Sequence, residues 1–353
     1  MVDEVKTLID KLNLNKILSK EEFEVILSHN TPEIREYAAN MAIDIKKSFY
    51  GEDVYIRGLI EFSNYCKNDC YYCGIRCSNN NADRYRLTED EILECARRGY
   101  ELGFRTIVLQ SGEDPYFNDD RMCCIIRKIK LELDVAVTLS IGEKSEESYR
   151  RYKEVGADRY LLRHETYNNE HYSRLHPENL SGEHRKECLQ TLKNLGYQVG
   201  AGFMVGSPYQ TVSNLAEDLI YLKKLNPHMV GIGPFIAHHD TPFADMANGT
   251  LEDTLLLLSL IRIMIPDVLL PATTALGTIS PTGREQGIKA GANVVMPNLS
   301  PITVRKKYDL YDSKICTGEE AAECVECLKK RVSATGNSIV IDRGDSKRDS
   351  RRD

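Results

Sequence analysis

Eight short runs of β-branched and apolar residues, each followed by a turn and most by a helical stretch, restrict the fold more than any other feature of this sequence. They are DVYIRGLIEF (53–62), RTIVLQSG (105–112), VAVTLSIG (135–142), RYLLRHE (159–165), YQVGAGFMVG (197–206), MVGIGPFI (229–236), DVLLPATT (267–274) and NVVMPNLS (293–300). Runs that are continuously apolar belong to parallel strands covered on both faces. Between them, stretches such as TEDEILECARRGYELG (88–103) and TVSNLAEDLIYLKKLN (211–226) repeat apolar residues at helical spacing. Thr88 stands as an N-cap with Glu91 as its capping-box partner. Eight alternating units in about 250 residues predict an α/β protein of the (β/α)8, TIM-barrel type. An open doubly wound sheet would share the strand texture and is the alternative.

The flanks read differently. Residues 1–50 are helical in pattern, the barrel is expected over 51–305, and a C-terminal extension over 306–342. The last stretch, 343–353 (RGDSKRDSRRD), is polar, charged and free of aromatic residues, which predicts disorder, and its RGD triplet carries no assigned meaning. With 353 residues, 42% of them hydrophobic, the chain has ample material for a core. A net charge of −7 gives no footing for a general nucleic-acid binder. No apolar run reaches the roughly 20 residues of a membrane span, and the amphipathic N-terminus lacks a signal-peptide core. A cytoplasmic location is therefore expected, where thiols stay reduced.

Eleven cysteines in that setting call for an explanation. Cys66, Cys70 and Cys73 form C-x3-C-x2-C directly after the first strand. A closed structural zinc site takes four ligands, and no histidine lies near these three. Thiolates are also the ligands of iron–sulfur clusters, and three of them on a [4Fe–4S] cubane leave one iron free for a small molecule. Active sites of such barrels assemble at the C-terminal strand ends, where SGEDP, SIGE, RHE, GSP, GPF, ATTA and PNLS also fall. A second triplet, Cys316, Cys324 and Cys327, has C-x7-C-x2-C spacing. It competes with a helical reading of TGEEAAECVECLKKR, in which Cys316 and Cys324 would lie about 12 Å apart. Three partly buried thiols in that stretch are the plain alternative to an accessory cluster.

The cysteine loop, with Tyr72 just before its third thiol, resembles the radical S-adenosylmethionine (SAM) superfamily. That resemblance implies a [4Fe–4S] cluster on Cys66, Cys70 and Cys73, SAM chelating the open iron, and reductive cleavage to a 5′-deoxyadenosyl radical. It also implies SAM contacts from Tyr72, from the turn Gln110, Ser111, Gly112 and Glu113, and from Thr138, Ser140, Glu165, Arg185 and Met204. Ser111 stands where the family has the first glycine of its Gly-Gly-Glu turn.

Within the superfamily, RGLIEFSNYCKNDCYYCGIR, TIVLQSGEDPY, VGADRYLLRHETY, VGIGPFIAHHDTPF, LLPATTALGTI and GANVVMPNLSP are similar to the [FeFe]-hydrogenase maturase HydE family. Methylornithine synthase (PylB) and biotin synthase are its neighbours and the alternative readings; an iron–sulfur carrier without SAM turnover is one from another class. The HydE resemblance implies an organometallic substrate, an iron carbonyl–cyanide complex carrying cysteine, held by Arg57, Arg163, Met229, Thr273, Thr274 and Tyr308. It further implies transient contact with other hydrogenase maturases, a reductant such as ferredoxin or flavodoxin, and a second [2Fe–2S] or [4Fe–4S] cluster at Cys316, Cys324 and Cys327.

Overall fold

The computed structural model describes residues 1–315 and 325–348. The first strand is Asp53–Ile56 continued by Gly58–Ser63, with a break at Arg57. Thr106–Ser111, Ala136–Ser140, Arg159–Leu161, Gln198–Ala201 and Met229–Val230 follow, each parallel to the one before. Single bridges carry the wall onward, Met229 to Leu269 and Pro271 to Val294. Val294–Val295 then pairs with Tyr55 and Ile56, and Asn298 bridges Leu59. The wall closes on itself, so the expected (β/α)8 barrel is found and the open sheet is not.

The seventh and eighth runs pair over fewer residues than their texture suggested. Pro271 and Pro297 lie inside them, and a proline has no N–H to give a ladder. Past Gly202 and Gly231 the fifth and sixth strands resume as Met204–Val205 and Gly233–Pro234, again parallel. A side chain at Gly202 would meet the Gly231 carbonyl at 2.0 Å, so the strands touch too closely there for any other residue.

Thr88 caps Glu89–Glu101 as the sequence predicts: its hydroxyl accepts from Glu91 N at 3.3 Å, and the Glu91 carboxylate accepts from Thr88 N at 2.7 Å. The N-terminal helices Val2–Asn15, Lys20–Ser28 and Pro32–Tyr50 bury one apolar stripe each, including Val5, Ile9, Phe23, Ile26, Ile34 and Ala38. They pack on the barrel helices Val212–Leu225 and Leu251–Met264. The second of these is apolar nearly all round because it is covered on both sides.

After helix Val325–Ser333, strand Ser338–Val340 adds in parallel to Asp53–Tyr55 at the lower end of the first strand. The tail then departs from the expectation of disorder. Residues 343–348 run beneath the barrel, and Arg343 donates to Asp158 at 2.9 Å. Asp345 accepts from Arg159 at 2.6 Å, and Arg348 forks onto Asp267 at 2.7 and 2.8 Å. Charge density alone argues for disorder, but Arg343, Asp345 and Arg348 each meet an opposite charge that the barrel's lower edge already holds. Residues 349–353 lie outside the described residues.

Candidate active site

The three cysteines sit on the loop after the first strand, partly buried, as free thiols. The second-strand loop locks that loop in place. Glu113 N and Asn68 N each lie 3.4 Å from Cys66 Sγ, and Lys67 N donates to the Glu113 carbonyl at 3.0 Å. Gly112 makes the approach feasible, since a Cβ there would meet the Tyr65 carbonyl at 2.3 Å and Cys66 Cβ at 2.8 Å. Burial pushes all three thiols up, Cys73 to about 12 and Cys70 well above the ordinary value. Three soft ligands that are poor acids alone suit a cation that converts them to thiolates, so the donor set fits an iron–sulfur cluster.

Around this loop stand the charged groups. Glu165 is nearly buried, and its backbone takes φ 65°, a conformation uncommon for a side-chain-bearing residue. Its Oε2 lies 3.2 Å from Arg163 Nη2, yet neither atom has a hydrogen-bond partner, and Arg163 Nε also lacks one. Strain and unmet polar atoms coincide at one spot, as they do where a ligand completes the set. Arg185 donates to the Arg163 carbonyl at 2.6 Å and to Glu143 Oε1 at 2.9 Å. Burial alone would lower Arg185, but Tyr172, Glu143 and Glu165 outweigh it and hold the guanidinium charged. Tyr72 OH lies 3.1 Å from His176 Nε2, and Met204 packs in the same apolar cluster as Tyr72. The Glu113 carboxylate turns sideways, accepting from Glu143 N at 2.9 Å, so that turn offers its backbone rather than its acid.

A deeper group lies inside the barrel. Arg57, in the gap of the first strand, is fully buried and donates to Met229 Sδ at 3.0 Å and to the Gly344 carbonyl at 3.2 Å. Its Nε has no partner, nor does the buried Thr138 hydroxyl, and both residues line a small internal cavity with Met229 and Arg159. Thr138 therefore sits with Arg57 and Met229, two positions below Ser140, instead of with the rim residues. The Thr273 hydroxyl is buried and unpartnered, at 2.8 Å from where a Cβ of Gly233 would stand. Thr274 opens the short helix Thr274–Ile279. Tyr308 is buried with its phenol by Gln110, and Lys314 donates to its carbonyl at 2.7 Å. Cys327 lies exposed in helix Val325–Ser333, whereas Cys316 and Cys324 fall outside the described residues.

Several neighbours were not expected from sequence. Glu143 pairs with Arg185, His176 orients Tyr72 and stacks on Tyr172 at 3.9 Å, and the Tyr172 hydroxyl is buried without a partner. Glu61 is buried under Lys314 at 2.6 Å and accepts from Asn298 at 2.7 Å. The stretch TYNNEHYSRLH after RHE, dense in aromatic and histidine residues at a strand end, could have pointed to Tyr172 and His176. A lone glutamate or lysine, whether in a strand as Glu61 is or in a loop as Glu143 and Lys314 are, gives no such pointer.

Residues 60–222 match the family model of the Radical SAM superfamily. Together with three thiols at the strand-end mouth of a parallel barrel, this makes the chain a radical SAM enzyme. It is 46% identical to the [FeFe] hydrogenase maturase subunit HydE of Thermotoga maritima, over 97% of this chain and 98% of that one. The chain belongs to the HydE maturase family. It is 28% identical to 3-methylornithine synthase of Methanosarcina acetivorans, covering 90% of this chain and 89% of that one. The crystal structure of methylornithine synthase (PylB) matches at 27% identity with a TM-score of 0.82, covering 94% and 97%. HydG, a maturase of the [FeFe]-hydrogenase, shares the fold at a TM-score of 0.83 and 21% identity, over 97% of this chain and 77% of that chain. No helix among the described residues is long and apolar enough to cross a membrane.

Proposed function

We propose that this HydE-type maturase acts on an anionic iron carbonyl–cyanide complex carrying cysteine, bound inside the barrel beneath the cysteine loop. One observation carries the reading: two arginines, Arg57 and Arg163, hold buried nitrogen atoms without hydrogen-bond partners, and the buried hydroxyls of Thr138 and Thr273 are equally unpartnered. Buried donors left unmet cost about 1–3 kcal/mol each, so their persistence favours a polar, negatively charged occupant. Cys66, Cys70 and Cys73 would hold the [4Fe–4S] cluster. When bound, cluster and SAM supply the one-electron cleavage that yields a 5′-deoxyadenosyl radical.

The chain's own part is to bind, orient and exclude water. The Glu165 carboxylate suits ribose hydroxyls, Tyr72 and Met204 form an apolar rest for an adenine, and Arg185 with the Gln110–Glu113 backbone suits the methionine end. Ser140 completes that rim. Arg57 and Arg163 counter the charge of the complex, Met229 walls it, and Thr273, Thr274 and Tyr308 close the side toward the C-terminal segment. Keeping the barrel interior free of bulk water protects a radical that would otherwise be lost in side reactions. A second [2Fe–2S] or [4Fe–4S] cluster on Cys316, Cys324 and Cys327, a ferredoxin or flavodoxin as reductant, transient contact with other maturases and a cytoplasmic location complete the proposal.

Anaerobic reconstitution tests it. The protein should take up about four irons at the first site and, with SAM and dithionite, release 5′-deoxyadenosine. Cys66→Ala should abolish that release and Cys324→Ala should spare it. Addition of a synthetic iron carbonyl–cyanide cysteine complex should change the release rate in the native protein but not in Arg57→Ala. If the complex has no effect on either, the substrate reading fails while the SAM chemistry stands.

A further inference from the structure

We propose that Arg343–Gly344–Asp345 is a built-in stopper for the lower end of the barrel, and that Gly344 and Asp345 are positioning residues that aim Arg57 into the substrate cavity from beneath. This rests on the reading of Arg57 as a substrate contact. The stopper crosses the strand starts in sequence. The Arg343 carbonyl accepts from Thr106 Oγ1 at 2.7 Å and from Arg159 Nη2 at 2.7 Å. Asp345 accepts from Arg159 at 2.6 Å and from Gln198 Nε2 at 3.0 Å. Farther on, Ser346 N lies 3.3 Å from Gln198 Oε1, and Arg348 reaches the Asn226 carbonyl at 2.7 Å. The first, second, fourth, fifth and seventh strands, and the helix end that leads into the sixth, are thus met near the lower end of the barrel by six consecutive residues.

Glycine is required at the centre. Gly344 has φ 59°, and a Cβ on it would lie 2.8 Å from the Tyr55 ring. With no side chain, its carbonyl comes within 3.2 Å of Arg57 Nη2, the one oxygen acceptor that the guanidinium has among the described residues.

The charge distribution follows from the same contacts. Two guanidiniums are buried side by side in this floor, and every nitrogen of Arg159 is met: Nε by Gln198 at 3.2 Å, Nη1 by Thr106 at 2.8 Å, Nη2 by Asp345 and the tail backbone. Among the described residues Arg57 receives only a carbonyl and a thioether, its Nε is unpaired, and its side chain lines the small cavity. The tail therefore satisfies one arginine completely and leaves the other with an unmet nitrogen. It also covers strand starts at the lower end, away from the cysteine loop.

The test uses two full-length variants, Asp345→Asn and Gly344→Val, loaded with cluster and SAM beside the unaltered protein. Labelling by 2,3-butanedione, read at Arg57 by peptide mass spectrometry, reports access from below. Arg57 should be inert in the unaltered protein and label at least about fivefold faster in both variants. Release of 5′-deoxyadenosine without substrate, governed at the opposite end, should stay within about twofold. With the iron complex, Asp345→Asn should raise KM about tenfold with kcat nearly unchanged, and Asp345→Glu should recover most of the loss. Arg57 remaining inert in both variants overturns the stopper; loss of SAM cleavage along with labelling reduces the tail to a general brace and overturns it equally. If the unaltered protein ignores the iron complex, the substrate reading fails, and the labelling result alone still decides whether the tail seals the floor.

Discussion

Glu165 shows what a single position gives up for function. Holding a non-glycine residue in the left-handed region costs about 1–2 kcal/mol, and burying a carboxylate oxygen without a hydrogen bond adds to that. Glu165→Gly should therefore raise the urea midpoint of the protein while weakening SAM binding at least about tenfold, measured by 5′-deoxyadenosine release against SAM concentration. A loss of both stability and binding would mean that the carboxylate braces the fold. Gly112 presents the opposite case. In Gly112→Ala the new Cβ would sit 2.3 Å from the Tyr65 carbonyl and force the cysteine loop outward. Iron uptake at the first site should then fall to a small fraction of normal, whereas the helical circular dichroism should hold. At this scale the thiols were legible because cysteines so closely spaced in a reducing compartment have few uses. Glu143 and Lys314 were not, because a charged loop residue takes its meaning from a partner distant in sequence.

Among the elements, local chemistry was legible and long-range pairing was not. The capping box at Thr88 is specified within four residues, and the structure contains it. Thr88→Ala should cost about 1 kcal/mol in a urea titration and leave 5′-deoxyadenosine release unchanged, since helix Glu89–Glu101 lies outside the barrel wall. An unchanged midpoint would show that packing, not the cap, sets the start of this helix. The six strands that pair over two or more residues up to Met229 were visible as apolar runs. The seventh and eighth were overdrawn because texture does not register the missing N–H of Pro271 and Pro297. The tail was misread for a related reason. Composition treats RGDSKR as charges without partners, whereas Asp158, Arg159 and Asp267 wait for three of them from 81 to 186 residues away along the chain.

For the molecule as a whole, the buried histidine at the mouth sets how folding responds to acid. His176 lies between Tyr172 and Tyr72, its Nδ1 3.0 Å from the Tyr172 carbonyl and its Nε2 facing the Tyr72 hydroxyl. Burial lowers it to about 3, and Arg185 and His171 add to the effect against the Tyr172 carbonyl. In the unfolded chain the same ring takes a proton near its ordinary 6.5. Between those values the unfolded state binds one more proton, so stability falls by about 1.4 kcal/mol for each unit that the pH drops. Asp345 works in the same direction lower down. Burial would raise it, but Arg159 and Arg343 outweigh that and hold it at about 2, so its contribution is complete above 3.8 and is lost as the pH falls toward 2. The acid limb should thus begin near pH 6.5, well above the carboxylate range. Urea titrations on iron-free protein, which keep cluster decay out of the measurement, should show the midpoint decreasing steadily from pH 7 to pH 5. His176→Phe should flatten that slope to the smaller part left by His171, whose burial also lowers it. A flat midpoint in the unaltered protein over the same interval would mean that the His176 ring accepts a proton in place, and that the Tyr72–His176 contact at the mouth is made by an imidazolium.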